Sequence, residues 1–178
     1  IDGKRHRQGE EGRELRQMGL IQVQVSGIAF DREREHPVVM LKAPGSDEVL
    51  PIWIGPAEAT SIYMELAGRT FERPMTHDLL RIVVEELGGR VVSIEITGLQ
   101  DDTYFARIVL QREGELFFID ARPSDSIALA LRAEAPVYVD NDLFMKYRRM
   151  LQIGKDEVDD IRRHFKNLDP GDFGNLDI

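Results

Sequence analysis

The sequence predicts an α+β domain built from a duplicated β-β-β-α unit, with helices packed against an antiparallel sheet. Several short segments alternate apolar and polar residues, which is the period of a strand with one wet face. Turns of only a few residues separate these segments, as in antiparallel hairpins. The order of three strands and one helix occurs twice, and a constant shift along the chain lays Ser61 and Leu66 over Ser126 and Leu131.

The first unit covers residues 20–67. Residues 20–30 alternate strictly and predict a strand, and further strands are predicted at 37–41 and 49–54. Gly55 and Pro56 end the third strand, and residues 57–67 place their apolar side chains on one helical face.

A helix is predicted between the two units, with Thr76 as its N-cap and Gly88 and Gly89 at its end. The second unit then supplies strands at 91–97, 104–111 and 115–120. Its helix is predicted at 124–133 and is followed by an extended segment at 136–139. Because residues 127–131 of this helix are almost entirely apolar, we expect it to be buried.

The 178 residues are 42% hydrophobic and 31% charged, which is typical of a soluble chain with one core. Residues 1–17 are almost devoid of apolar side chains and predict a disordered arm or a non-native remnant. The domain is predicted at 18–143 and a C-terminal helical tail at 144–178, with its helix at 156–167. The chain has no cysteine and no apolar run of membrane-spanning length, so we expect a cytoplasmic protein without a membrane partner.

The formal net charge is −9, and the predicted domain contains no run of Lys or Arg. A protein that reads duplex nucleic acid usually presents a basic face that displaces counterions from phosphates. This composition argues against such a reader. Any chemistry on nucleic acid would need metal cations or local arginine clusters to offset the negative field.

Polar side chains crowd the junction between the last strand of the second unit and its helix. Asp120, Arg122, Ser124 and Asp125 occur there within six residues, at a helix N-terminus whose first N–H groups are unpaired. One interpretation is structural, with Asp125 favoured in the first helical turn and Arg122 neutralising Asp120. The other is a functional site, and the residues alone leave both interpretations open.

His77 is the only histidine inside a comparable polar cluster, between Arg73 and Asp78. A capping or surface role for it is the alternative to a role as ligand or base. The chain has no motif of zinc proteases, nucleotide-binding loops or common serine hydrolases. The carboxylates Asp120, Asp125 and Glu58 are the kind of ligand that Mg²⁺ or Mn²⁺ takes in phosphodiester hydrolysis.

Three blocks of this sequence resemble the bifunctional nuclease family. They run from Leu50 to Ala59, from Arg73 to Leu80 and from Ile119 to Ala130, in order and with family-like spacing. Residues 169–173, Asp-Pro-Gly-Asp-Phe, are similar to a tail common in bacterial members. The resemblance implies metal-supported cleavage of both RNA and DNA, and it implies homo-oligomeric assembly.

We therefore predict a metal-dependent nuclease with little sequence preference, acting as a homodimer. In this hypothesis Asp120 and Asp125, with Glu58, hold a divalent cation. His77 acts as acid or base, because imidazoles titrate near neutral pH, and Asp78 orients it. The substrate-binding residues are Arg73, Arg122 and Ser124. The alternatives are a non-catalytic regulatory or scaffold domain and a small-ligand binding module.

Overall fold

The computed structural model describes residues 19–149, which form seven strands and four helices. The strands are β1 (Leu20–Asp31), β2 (His36–Lys42), β3 (Val49–Trp53), β4 (Gly89–Gln100), β5 (Thr103–Arg112), β6 (Glu115–Ala121) and β7 (Val137–Asp140). The helices are α1 (Pro56–Leu66), α2 (Thr76–Glu86), α3 (Pro123–Arg132) and α4 (Asn141–Tyr147). The arm predicted at 1–17 and the helix predicted at 156–167 lie outside the described residues.

All seven strands belong to one sheet, in the order β3-β2-β1-β7-β4-β5-β6. The strands β1 to β3 are antiparallel to one another, and so are β4 to β6. Between the two groups, β7 is antiparallel to β1 but parallel to β4. The prediction of an antiparallel sheet is therefore wrong at this pair, and the sheet is mixed. The reason is that β7 follows α3, so the chain re-enters the sheet through a helical crossover instead of a hairpin.

Three strands followed by a helix do occur twice, as β1 to β3 with α1 and as β4 to β6 with α3. The helix α2 stands between these two groups, as the sequence predicted. The origin of the two groups by duplication stays a prediction.

The hairpin between β4 and β5 turns on Asp101 and Asp102, whose φ angles are 48° and 59°. Gln100 pairs with Thr103 across this two-residue turn, which requires left-handed backbone at both central positions. Aspartate tolerates that conformation better than most residues because its short side chain can bond locally. The tight turn brings Asp102 and Thr103 to the N-terminal end of α3.

The main core lies between one face of the sheet and the helices α1 and α3. Residues 127–130 of α3 are at most 1% exposed, which confirms the predicted burial of this helix. They pack against Ile62 of α1 and against the sheet residues Ile94 and Val39. The helix α3 contacts both α1 and α2. Contacts of Arg122 with Glu58 and of His77 with Asp125 bring the N-terminal ends of the three helices together.

The helix α2 buries none of its residues. Three large apolar side chains on it, Leu79, Leu80 and Val83, are more than 40% exposed, and so is its C-cap residue Leu87. Met75, and not the predicted Thr76, is its N-cap, and the Met75 N–H donates to the Asp78 carboxylate at 2.9 Å. Within residues 19–149, the helices are too short or too polar to cross a membrane.

Candidate active site

The first turns of α1, α2 and α3 each carry an acidic residue, respectively Glu58, Asp78 and Asp125. A carboxylate is stabilised there by the unpaired N–H groups and by the helix dipole. Pro56 and Pro123 begin α1 and α3, where their missing N–H costs nothing. The sequence thus places charged side chains where the three helices meet.

His77, in the first turn of α2, links this helix to α1 and to α3. Its Nδ1 lies 2.9 Å from the Ser61 hydroxyl on α1, and its Nε2 lies 3.4 Å from Asp125 on α3. With the Nε2–H donating to Asp125, Nδ1 is free to accept from the Ser61 hydroxyl. The His77 side chain is 12% exposed, so this bridge lies just beneath the surface.

Arg122 continues the chain of contacts toward solvent. Its Nε and one terminal nitrogen donate to the two oxygens of Asp125 at 2.7 and 3.1 Å. The other terminal nitrogen lies 2.9 Å from Glu58. The hydrogen bonds that Arg122 donates to Asp125, with the charges of Asp125 and Glu58, raise the pKa of Arg122, which stays protonated. The structural interpretation of the sequence had Arg122 neutralise Asp120. In the structure Arg122 pairs with Asp125 and Glu58 instead.

A second set of contacts attaches the start of α2 to the end of α3. Arg132, at the end of α3, is 3% exposed and donates to Asp78 at 2.5 Å. It also donates to the main-chain oxygens of Ser61 and Ala128, at 3.1 and 2.9 Å. Asp78 therefore accepts hydrogen bonds from the Met75 N–H at the start of α2 and from Arg132. The carboxylate that contacts the His77 imidazole is that of Asp125.

The structure brings together His77, Asp125, Arg122 and Glu58 of the predicted site residues. Asp78 is linked to this cluster indirectly, through Arg132 and then Ser61. Ser124 lines an adjoining cavity with Arg122 and Glu58. Arg73 is exposed in the loop before α2, and within residues 19–149 it has no hydrogen bond or ion pair with this cluster.

Asp120 lies apart from this cluster. In the β5–β6 pairing it stands opposite Arg107, whose neighbours Ala106 and Ile108 face the helices and the core. Because side chains alternate along a strand, Arg107 and Asp120 point to the other face of the sheet. The structure does not place Asp120 beside Asp125 and Glu58.

Two residues of the site were not predicted from the sequence, namely Ser61 and Arg132. The signal for Ser61 was present, because the internal repeat matches it with Ser126, and two serines at apolar helix positions call for an explanation. Ser126 is fully buried, and among residues 19–149 its hydroxyl has no hydrogen-bond partner. Arg132 resembled an ordinary charge at a helix C-terminus, where cations are favoured for local reasons.

The predicted metal ligands do not form a ready-made cation site. Among residues 19–149, no group of three or more His, Asp or Glu side chains is placed to hold a metal ion. Glu58 and Asp125 approach the same point, but each of them already contacts Arg122. The described side chains thus do not match the predicted ligand set.

Comparison with known proteins identifies the family. The model of the bifunctional nuclease domain matches residues 39–151. The chain belongs to the bifunctional nuclease domain family. It is 33% identical over 162 residues to an uncharacterized protein of Mycobacterium tuberculosis, covering 85% of this chain and 97% of that protein.

Two plant proteins extend the comparison. Bifunctional nuclease 1 of Oryza sativa is 29% identical over 112 residues, which are 61% of this chain and 34% of the plant protein. Bifunctional nuclease 1 of Arabidopsis thaliana is 26% identical over 148 residues, which are 80% and 46%. This bifunctional nuclease domain therefore spans less than half the length of these plant relatives.

The three blocks that carried the resemblance in sequence come together in this bifunctional nuclease domain. The first block supplies Glu58, the second supplies His77 and the third supplies Arg122 and Asp125. Separate parts of the chain thus meet at one chemical cluster at the helix N-termini.

Proposed function

We propose that this domain hydrolyses phosphodiester bonds of RNA and DNA without strong sequence preference. The observation that carries the proposal is the position of His77, held between the Ser61 hydroxyl and the Asp125 carboxylate, directly behind Arg122. A histidine oriented by a carboxylate beside an arginine combines proton transfer with phosphate binding. Membership of the bifunctional nuclease family supports the same reaction class.

Each residue has a distinct task in this proposal. Arg122, whose side chain is 67% exposed, is the part of the cluster that a phosphate meets first. His77 transfers a proton to or from the reacting oxygen, and its Nε2 is the nitrogen that becomes available. The 3.4 Å contact of Nε2 with Asp125 is long for a hydrogen bond, whereas the 2.9 Å contact of Nδ1 with Ser61 is of normal length.

Ser61 is a poor candidate for a nucleophile although serine, histidine and aspartate are in contact. It is only 6% exposed, in the middle of α1, where a polymer phosphate has little access. In a Ser-His-Asp hydrolase the carboxylate binds Nδ1 and the serine faces Nε2, which is the reverse of the contacts here. We assign Ser61 the task of positioning His77.

We also propose that a divalent cation such as Mg²⁺ or Mn²⁺ supports the reaction. With His77 neutral, the carboxylates of Glu58 and Asp125 outnumber the Arg122 guanidinium by one. Because the cluster is then net negative, a phosphate needs additional positive charge close by. Arg73 on the neighbouring loop is a further candidate to contact substrate. Asp120 stays a predicted metal ligand, although it lies apart from Asp125 and Glu58.

Contacts to phosphate carry no sequence information, so this site is expected to cleave many sequences. Arg122 reads neither the base nor the 2′-hydroxyl in this arrangement. RNA and DNA are therefore both proposed substrates, and a cytoplasmic location stays the prediction from the cysteine-free sequence.

Assembly as a homodimer is a further part of the proposal. The strand β6 lies at the edge of the sheet and exposes four successive apolar side chains, from Leu116 to Ile119. An exposed apolar edge strand invites pairing with another strand. Two copies of β6 can pair about a two-fold axis, because an antiparallel pair of identical strands is self-complementary.

A non-catalytic scaffold domain is the second candidate. The exposed apolar residues of α2 and β6 favour it, since such surfaces mark protein contacts. In that case the bonds of His77 and Arg122 serve only to hold the three helices together. A small-ligand binding module, the third class, depends on the cavity beside Arg122.

Hydrolysis of single-stranded RNA and DNA by homogeneous protein, with Mg²⁺, Mn²⁺ or EDTA, tests the proposal. The variants Asp125→Asn and His77→Ala are compared with His36→Ala, which alters an exposed histidine at the start of β2. Loss of a general acid or base lowers the rate by about 10²- to 10⁴-fold. His36→Ala is expected to cleave like wild type.

The outcomes separate the candidates. Folded His77→Ala and Asp125→Asn proteins that cleave at the wild-type rate would remove these residues from the mechanism. If no sample cleaves with either metal, the scaffold function replaces the nuclease. Cleavage that persists in EDTA refutes the cation requirement alone.

A further inference from the structure

A cavity of about 300 Å³ opens next to Arg122. The end of β3, the start of α1, the β4–β5 turn and the start of α3 surround it. Its volume lies at the lower end of the range for small-molecule pockets, so it holds a group of nucleobase or nucleoside size. A duplex or a long oligomer does not fit inside.

Largely apolar residues form much of the cavity wall, namely Ile52, Trp53, Ile54, Tyr104 and Pro123. Tyr104 is fixed in place, because its ring packs against the core and its hydroxyl donates to the Pro51 carbonyl at 3.4 Å. Burial raises the pKa of the Tyr104 hydroxyl, which keeps this wall uncharged. A flat, uncharged aromatic ring packs well against such a surface.

Ser124 contributes a polar atom without a protein partner. Its side chain lines the cavity, is 7% exposed, and has no hydrogen-bond partner among the described residues 19–149. Among residues 19–149, the unpartnered buried side-chain atom is the Ser126 hydroxyl, so the Ser124 hydroxyl is reached from the cavity. A ligand in the cavity can therefore donate to it or accept from it.

The charges of the cavity select the kind of ligand. Two carboxylates, Glu58 and Asp102, line it together with a single guanidinium, that of Arg122. A second phosphate is therefore repelled from the interior, whereas an uncharged ring with polar edges is not. Arg122 lies at this cavity and in the His77 cluster, so the cavity adjoins the proposed reaction site.

We propose that this cavity binds one unpaired nucleobase of the substrate strand while the adjoining phosphate contacts Arg122. The inference rests on the proposed nuclease function and names its substrate class, which is single-stranded or locally unpaired nucleic acid. A paired base must first leave its stack, and that step costs free energy. Duplex substrates consequently bind and react less well than single strands.

Binding without cleavage tests the proposal independently of catalysis. Fluorescence anisotropy with EDTA present compares three labelled probes of equal length: a single strand, the same sequence as a duplex, and a strand of abasic sites. The abasic strand keeps every phosphate and lacks every base, so it controls for electrostatic binding. We expect both controls to bind at least about tenfold more weakly than the single strand.

The variant Tyr104→Leu keeps an apolar wall and removes the aromatic ring. Stacking on an aromatic side chain changes the affinity per base by about fivefold to about a hundredfold, so weaker binding in that range is expected for the single strand. Binding of the abasic strand is expected to stay unchanged. Ser124→Ala, which removes only the hydroxyl, is expected to weaken single-strand binding about two- to tenfold.

Equal affinity for the single strand, the duplex and the abasic strand overturns the proposal, as does the absence of any binding. Preferential single-strand binding by a protein that never cleaves supports the base cavity and refutes the nuclease function. Cleavage of duplex as fast as single strand, with equal affinities, supports the nuclease and refutes the cavity.

Discussion

The Ser61 hydroxyl lies 2.9 Å from His77 Nδ1, although the two residues belong to different helices. Ser61 lies in α1, and His77 lies in the first turn of α2, a helix that buries none of its residues. The contact thus sets the orientation of the imidazole relative to Asp125. The hydroxyl is small and α1 also buries Ala59, Ile62 and Met64, so the packing of α1 does not depend on this contact alone.

Replacing Ser61 by Ala is expected to lower the cleavage rate about two- to tenfold, because one neutral hydrogen bond contributes that much to orientation. Thr60→Ala is the matched control, since the Thr60 hydroxyl donates to the Pro56 carbonyl of its own helix and, within residues 19–149, makes no hydrogen bond to another helix. The thermal midpoints and the single-turnover rates of both variants are measured. A rate for Ser61→Ala equal to that of Thr60→Ala would refute the positioning role.

Arg132→Met tests how α2 is attached. Arg132 is almost fully buried and donates to Asp78 and to two main-chain carbonyls. When it is replaced, these acceptors lose their hydrogen-bond donor. We expect the free energy of unfolding to fall by about 3 kcal/mol, as for other broken buried ion pairs. Urea unfolding measures it, with Arg81→Met as the control. Arg81 pairs with Glu85 on the surface of α2, and its loss is expected to cost less than about 1 kcal/mol. Similar losses in the two variants would contradict this account.

Gly55→Ala tests the link between Glu58 and Arg122. A Cβ at Gly55 would lie 2.3 Å from Glu58 Oε2, so the carboxylate has to move away from its place beside Arg122. The backbone tolerates the change, because φ at Gly55 is −73°. We expect the unfolding free energy to fall by no more than about 1 kcal/mol.

Cleavage by Gly55→Ala should instead drop to the level of Glu58→Gln. Gly98→Ala is the control, since a Cβ there meets nothing within 4 Å. Wild-type cleavage by Gly55→Ala, with normal activity of Gly98→Ala, would show that the position of Glu58 is immaterial to the reaction.

The strands and helices were largely predictable because their signals are local. Alternation defined β1, and the continuous apolar run defined α3 as a buried helix. The parallel pairing of β7 with β4 was not predictable in this way, since it depends on where the chain goes after crossing over α3. Four residues carry no periodicity that reveals a strand direction.

The site was predictable in part for the same reason. Glu58, His77 and Asp125 stood out because each occurs at a helix start, where the sequence signal is strong. Asp120 and Asp125 look equivalent in sequence, but strand alternation turns Asp120 to the other face of the sheet. Arg132 was missed because its partners are distant in sequence, and only the packing of α3 against α1 and α2 brings them close.

Asp31 supplies a pH-dependent contribution outside the site. The Trp53 indole N–H donates to one of its oxygens at 2.9 Å, and the main-chain N–H groups of Arg34 and Glu33 donate to the other. These bonds, with that of Trp53 foremost, lower the pKa of the Asp31 carboxyl below its ordinary value of 3.8. A lowered pKa stabilises the fold at pH values above the ordinary value, and this is lost as pH falls through the folded-state pKa.

Between pH 5 and pH 3 the wild type is therefore expected to lose more stability than Asp31→Asn. Urea unfolding at both pH values measures the difference, and fluorescence of Trp53, the single tryptophan of the chain, reports the local contact. Asp47→Asn, which alters an aspartate exposed in the β2–β3 turn, serves as the control. An acid-induced loss as large in Asp31→Asn as in the wild type would contradict the role given to this carboxylate.

The last prediction concerns the edge of the sheet. If two copies pair through β6, an Ile119→Lys substitution places two like charges near the two-fold axis and separates the copies. Ile119 is 45% exposed, so the folded monomer should accept the lysine. The control is Met145→Lys on α4, where Met145 is 50% exposed at another part of the surface.

Light scattering at micromolar concentration is expected to give twice the chain mass of 20.3 kDa for wild type and for Met145→Lys. Ile119→Lys is expected at the mass of one chain. A wild-type protein with the mass of one chain refutes the dimer, and an Ile119→Lys protein that keeps the double mass moves the interface away from β6. In that case the exposed residues of α2 become the surface to substitute, because they form the other apolar face on the described part of the chain.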